Sequence, residues 1–405
     1  MARHHPNRLL AVLLSEADWN PAELARTINH LGRAQGLTLR YDRTSVAHWL
    51  TGSRPRSPVP DLVASALTRR LGRLVTAEET GLARPSPSVE GTDGSPHAEP
   101  PETNDVVEWL TALSRADADP ARRTPLTGSV YRLTAIASTA WNPETPTAAR
   151  PHDGGTPVTS DDVQRLQDMS KLFADLLERY GGAHARSMLA AYLTDDVSRL
   201  LIAPARPEPR RGLFTGAAQL THIMARMTMD TGQPALAQRY FTAALSLARE
   251  ADDRRLYAIT LRAMSLQALR LGFSTRARQL ADTAIQTAGQ STDPSTLAFL
   301  LSQRAVTHAH AQDRRQAVID LSAAETQHSR ATSPPGPFSA YTRPGLDYQR
   351  GLALLALGDN AQAAQALTSS AASRAEGRRR STALTHVRLA STLLPLGRLE
   401  EACVH

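Results

Sequence analysis

Helical periodicity comes and goes along this chain, and its interruptions divide the sequence as clearly as its runs do. Leu9, Leu10, Leu13, Leu14 and Ala17 recur at helical spacing and predict a first helix over 8–17. "WNPAE" announces a second: Asn20 is placed to cap, Pro21 fits the first helical position, and Glu23 stands three after the cap to close a capping box. Leu24, Ala25, Ile28 and Leu31 form its buried stripe, and Gly36 marks its expected end. A third helix begins at Asp42, which accepts from a backbone N–H near Ser45; Val46, Trp49 and Leu50 then point inward and Gly52 closes it. In a fourth, "PDLVASALTRRLG", Leu62, Val63, Ala66, Leu67 and Leu71 face the core and Arg69 and Arg70 lie outside. Residues 1–84 are thus expected to form one small helical domain.

Periodicity then stops. Residues 85–104, "PSPSVEGTDGSPHAEPPETN", hold five prolines and little to bury, which predicts a tether. A helical middle region follows over 105–216, with a second loose stretch inside it at 142–160. Val163, Leu166, Met169, Phe173, Leu176, Leu177 and Tyr180 mark a helix opened by Ser160 or Asp161 and broken by Gly181 and Gly182. Met188, Leu189, Tyr192, Leu193, Val197, Leu200 and Leu201 mark a second, so the two predict a hairpin.

From 217 to 405 one pattern returns. Markers at Gly232, Gly272, Gln312, Gly358 and Gly397 are spaced by 40, 40, 46 and 39 residues, and the loop "SPPGP" at 333–337 absorbs the longer gap. Seven residues before each marker the side chain is small (Ala225, Ser265, Ala305, Gly351, Ala390), and five after it stands alanine (Ala237, Ala277, Ala317, Ala363, Ala402). Twelve after come Ala244, Ala284, Ala324 and Ser370. Small residues at fixed points on two successive helices let them cross closely and let the next pair stack on the same face. This spacing resembles tetratricopeptide repeats, most clearly in "GQPALAQRYFTAALSLA" and "GDNAQAAQALTSSAA", with a period nearer 40 than the consensus. The resemblance implies a concave groove for a peptide, a protein or a second copy, with Arg239 and Tyr240 as candidates to face it.

Charge sharpens the reading of the first domain. The net charge is +7, and residues 1–84 carry twelve arginines against seven carboxylates. Lys171 is the only lysine, so part of the arginine richness is compositional bias of a GC-rich type. Against that background the third helix stands out: its outer face carries Arg43, Thr44, Ala47, His48 and Thr51, with Arg40 before it and Arg54 and Arg56 after it. Small polar side chains there suit base edges in a major groove, and the arginines suit phosphates. "PAELARTINHLG" followed by "RTSVAHWLTGSRP" resembles the helix-turn-helix domain of lambda-repressor-like (XRE) regulators, although the segment from Leu37 to Tyr41 is longer than the usual turn. The resemblance implies that Thr44, Ser45 and His48 face DNA while Val46 and Trp49 anchor the helix. The order of parts over nearly the whole chain resembles a group of actinomycete regulators that includes negative regulators of sporulation and antibiotic production.

The expectation is therefore an all-α protein: a helix-turn-helix domain, a Pro-rich linker and a C-terminal tetratricopeptide-like α-solenoid. The expected function is a DNA-binding transcriptional regulator, a repressor of differentiation or secondary metabolism by resemblance. Its expected partners are double-stranded DNA, a second copy of the chain and a peptide or protein in the repeat groove. The alternative is an interaction scaffold whose first domain does not read DNA. No catalytic constellation, phosphate-binding loop or cofactor motif is present, and Cys403 is the only cysteine. His308 and His310 lie two apart on a predicted helix, where they cannot readily share a metal. No apolar run reaches membrane-spanning length, so a cytoplasmic, nucleoid-associated protein without enzymatic activity is expected.

Overall fold

The structure, a computed structural model, describes residues 6–34, 37–71, 75–82, 106–119, 131–132, 141, 157–289, 292–332, 338 and 341–405. Every regular element among them is helical. The tether at 85–104, Gly36, most of 142–160 and the loop 333–337 lie outside the described residues.

The N-terminal head consists of α1 (Arg8–Glu16), α2 (Pro21–Ala34), α3 (Arg43–Leu50) and α4 (Val59–Leu71). Their apolar stripes meet in one core, with Leu10, Leu24, Ile28, Val46, Leu62, Val63 and Leu67 wholly buried. The box at the start of α2 forms as its sequence dictates: the Asn20 side chain accepts from the N–H of Ala22 and Glu23, and Glu23 accepts from the Asn20 N–H at 2.8 Å. Asn7 fastens the head at three points. It caps α1 through Leu10 N–H, donates its own N–H to Leu50 O, and donates its amide to Thr80 O.

The middle region opens with α5 (Val106–Ala118) and continues with α6 (Ser160–Tyr180), capped by Thr159 rather than by Ser160 or Asp161. Asp162 returns the bond by accepting from the Thr159 N–H at 2.8 Å. Gly181, at φ +79°, turns the chain into α7 (Gly182–Tyr192). The following stretch is not one regular helix: a π turn at Leu193–Val197 joins α7 to α8 (Ser198–Ile202). The wider turn keeps Leu193 and Val197 fully buried.

Helix α9 (Pro207–Asp230) crosses residue 217, so the middle region and the repeats share a helix. It pairs with α10 (Pro234–Glu250). The pairs α11 (Arg254–Arg270) with α12 (Ser274–Ala288), and α13 (Pro294–His310) with α14 (Arg314–Arg330), follow. After them come α15 (Arg343–Ala356) with α16 (Asn360–Ala372), and α17 (Arg379–Leu393) with the short α18 (Leu399–Val404). Each marker residue closes the first helix of its pair with a positive φ, from +60° at Gln312 to +84° at Gly272. Gln312 occupies this left-handed turn without being glycine, and its amide donates to Ala356 O in the next pair at 2.8 Å. The small positions lie where the partners cross: Ala225, Ser265, Ala305, Ala237, Ala277, Ala317 and Ala363 are fully buried. A Cβ at Gly351 would stand 2.7 Å from Leu367 Cγ, closer than packed atoms tolerate.

Two charged clusters hold the pieces together. Asp117 at the end of α5 is fully buried and accepts from Arg186 of α7 at 2.7 and 2.8 Å and from the Tyr240 hydroxyl at 2.8 Å. Tyr240 is therefore a core residue of α10, which corrects its expected place in the groove. The second cluster closes the row of hairpins on itself, since α17 packs against α6. Glu178 of α6 accepts from Arg226 at 3.0 Å and lies 3.5 Å from Arg380 of α17, and Ser381 donates to it as well. Arg380 also pairs with Asp230. Burial raises the Glu178 carboxyl, but Arg226, Arg380 and the Ser381 hydroxyl together hold it below its ordinary value. Among the described residues no helix is long and apolar enough to cross a membrane.

Two outcomes follow. Replacing Asp117 by Ala leaves a buried guanidinium unpaired and is expected to cost about 3–5 kcal/mol in urea unfolding. Because the Glu178 pKa is depressed in the folded chain, its contribution is complete above the ordinary carboxylate value and is lost as pH falls through the folded one. The Glu178→Gln chain is accordingly expected to be less stable than the wild type near neutral pH and to show a smaller stability loss on acidification.

Candidate nucleic-acid interface

A surface that meets a polyanion needs a rigid helix, a solvent-facing stripe of short polar side chains and cations left free of carboxylates. Helix α3 is fixed from behind by Val46, fully buried, and Trp49, 4% exposed. Tyr41 packs edge-on against Trp49 with ring centres 5.1 Å apart. Arg43, Thr44, Ala47 and His48 are exposed on the opposite side, and Ser45 is half-buried.

The long connection between α2 and α3 is held by two features that the sequence reading did not single out. Asn29 of α2 donates its amide to Tyr41 O at 2.7 Å and accepts from Tyr41 N–H at 2.9 Å, which ties the end of the segment to the helix before it. Gly32 lets Leu39 pass close: a Cβ there would stand 2.5 Å from Leu39 Cδ1. A polar side chain one position after the buried Ile28 was the signal for Asn29, though nothing local named Tyr41 as its partner. With this clip the segment enters α3 at Asp42, whose carboxylate accepts from Ser45 N–H and from the Ser45 hydroxyl, both at 2.8 Å. These bonds hold the Asp42 carboxyl below its ordinary value.

The predicted contact residues thus divide into three groups. Arg43, Thr44 and His48 lie together on the outer face of α3. The Ser45 hydroxyl is committed to the capping box, so its first role is to shape the start of the helix. Arg40 before α3 and Arg54 and Arg56 after it are exposed, and none of them, nor Arg43, makes an ion pair with a carboxylate among the described residues. The other two cations of interest behave differently. Arg70 donates to Ala17 O at 2.8 Å within the head. Arg69 leans on the turn between α11 and α12, where a Cβ at Gly272 would overlap its guanidinium.

That contact is part of a seam between α4 and the repeats. Asp61 lies 3.7 Å from Arg132, whose N–H donates to Gln238 of α10 at 2.9 Å. The neighbouring Tyr131 stacks on Phe273, directly after Gly272, with ring centres 5.6 Å apart. Burial raises the Asp61 carboxyl and Arg132 opposes the rise. The two histidines of "HAH" diverge: His308 faces Asp320 at 3.8 Å, while His310 faces the interior of the hairpin row. Arg239 does not line that interior.

Residues 10–83, the extent of the head, match the family described as SP15 N-terminal domain. No curated protein matches the chain. Replacing Asn29 by Ala removes both bonds to Tyr41 and is expected to destabilise the head by about 2 kcal/mol. Hydrogen exchange is the direct measurement, with the Tyr41 amide expected to speed up more than the amides of α1.

Proposed function

We propose that the chain is a DNA-binding transcriptional regulator that works as a homodimer, with its head on the duplex and its hairpin row as the dimerising or sensing part. The observation that carries this reading is the outer face of α3, where Arg43, Thr44, Ala47 and His48 face solvent on a helix locked by Val46 and Trp49. The uncompensated charge of Arg40, Arg54 and Arg56 supports it, because each phosphate contact releases condensed counterions. In this reading Arg40, Arg54 and Arg56 set register on phosphates, and Thr44 and His48 read base edges. Ser45 contributes by capping, with its hydroxyl shared between Asp42 and the groove. A single head offers one short reading helix, so two copies on half-sites a helical turn apart give the affinity that one lacks.

The resemblance of the chain to actinomycete regulators extends the proposal to repression of differentiation or secondary metabolism. The seam at Asp61, Arg69, Arg132 and Gly272 supplies a path by which a change in the hairpins would reorient the head. A scaffold that uses its head to bind protein is the competing reading, and salt dependence separates the two.

For a DNA reader, the logarithm of affinity falls linearly with the logarithm of salt. The double replacement of Arg54 and Arg56 by Ala is expected to weaken binding on all sequences and to reduce that slope by about 2. Replacement of Thr44 or His48 by Ala is expected to narrow the gap between preferred and random sites by about 1–3 kcal/mol each. Titration of the full chain against labelled genomic fragments at several salt concentrations measures both. Binding no tighter than that of an unrelated cationic protein would overturn the proposal.

A further inference from the structure

The inner side of the hairpin row encloses a cavity of about 800 Å³, within the roughly 300–1,000 Å³ of sites for small organic ligands. The closure of α17 onto α6 shapes it, so it is reached as a pocket and is too confined for a duplex. Much of its lining is apolar: Leu266, Phe299, Phe338, Tyr341 and Leu352 contribute, from α11, α13, the approach to α15 and α15 itself. A lining of this kind ordinarily carries few charges. Here seven of the lining side chains are arginines, against a single carboxylate, Glu178.

That carboxylate is already committed. It serves Arg226 and Arg380 at once, and Arg380 takes Asp230 as a second partner. Arg374 is occupied by the hydroxyls of Thr385 and Ser370, at 3.0 and 3.1 Å, beside the ring of Tyr348. Four arginines remain, of which Arg270, Arg378 and Arg388 are exposed and Arg262, 9% exposed, is the buried one. Its Nε donates to Phe299 O at 3.2 Å and its guanidinium carbon lies over the Phe299 ring, 3.6 Å from the centre. No carboxylate pairs with it among the described residues; the charged groups acting on it are Arg226 and Arg270, both cationic, together with the Tyr341 phenol. Burial lowers the Arg262 pKa to about 9; Tyr341 opposes the fall and the two arginines add to it, and the group still carries its charge at neutral pH. Arg270 likewise has no ion-pair partner among the described residues.

A buried cation is costly unless an anion compensates it. The Phe299 ring and the bond from Nε to its carbonyl hold the guanidinium at the cavity wall, and its fork of N–H donors suits a planar two-oxygen acceptor. Around it the walls offer rings and leucines. We infer that the cavity is a binding site for a small amphipathic organic acid, whose carboxylate is held by Arg262 with Arg270 behind it and whose apolar body packs on Phe299, Tyr341 and Leu352. A free acyl or aryl acid and the C-terminus of a short apolar peptide present the same chemistry, and the test separates them. The inference does not depend on the head reading DNA.

Titration calorimetry on the full chain tests it with four probes: decanoate, 1-decanol, and the acid and amide forms of the acetylated tripeptide Leu-Leu-Phe. The expected result is that at least one acid binds about tenfold or more tightly than its neutral counterpart. Decanoate ahead of the peptide acid assigns a free organic acid, and the reverse order assigns a peptide terminus. In the Arg262→Met chain the advantage of acid over neutral form is expected to vanish while the neutral form binds as before. Binding of neither acid, equal binding of acid and neutral forms, or an unchanged preference in Arg262→Met overturns the inference. Should that variant fail to fold by circular dichroism, Arg270→Met, an exposed position, decides: a weakened acid preference supports the site, and an unchanged one overturns it.

Discussion

Close approach between paired helices is the constraint on which the C-terminal half of the chain rests. Helices carrying leucine at every contact would stand too far apart to leave a concave interior of this size. Ser265 against Ala277 and Gly351 against Leu367 bring two of the pairs together at a fixed point. The left-handed residue at the end of each first helix then reverses the chain within a few positions. Ser265 shows how tight the fit is, since its hydroxyl donates to Ala277 O across the crossing at 2.7 Å. Side-chain volume at a few positions thus sets the geometry, and larger residues such as Phe241 and Tyr257 fill what is left.

Electrostatics does a different job. The charged groups buried along the inner side are partners in closure or remain unmatched, and few are ordinary surface charges. Asp117 and Arg186 join α5 to α7, and Tyr240 adds a third element to the same carboxylate. Glu178, Arg226, Asp230 and Arg380 join the two ends of the row. His222 sits among these cations, bonded to Thr260 at 3.1 Å, and burial with Arg226 and Arg262 pushes its pKa down to about 3, so it remains neutral. Burial and the neighbouring arginines thus keep this imidazole from adding to the positive charge of the interior.

Much of this was legible in the amino-acid order, and the reasons are physical. Helix starts announced themselves because caps are local: Asn20 with Glu23 and Asp42 with Ser45 act across three residues. The repeat was legible because a steric requirement recurs at the same offset in each unit. Contacts between distant segments were not. Nothing near Asn29 names Tyr41, nothing near Glu178 names Arg380, and Arg69 reads as a solvent residue until Gly272 is brought beside it. Tyr240 illustrates the same limit, because an aromatic with a hydroxyl fits a groove or a core equally well by pattern, and only Asp117, remote in sequence, decides. The π turn at Leu193–Val197 escaped for a further reason: inserting a wider turn preserves the apolar stripe that periodicity detects.

The clasp at Glu178 has an evolutionary corollary. Open helical arrays lengthen and shorten freely, because each added unit touches only its neighbours. Here the first and last members share one carboxylate, so a duplicated or deleted forty-residue unit would carry Arg380 away from its acceptor and expose the apolar lining. The number of hairpins is accordingly locked by arithmetic of the circuit, and variation among descendants is expected to fall in side chains and loops while the unit count stays constant.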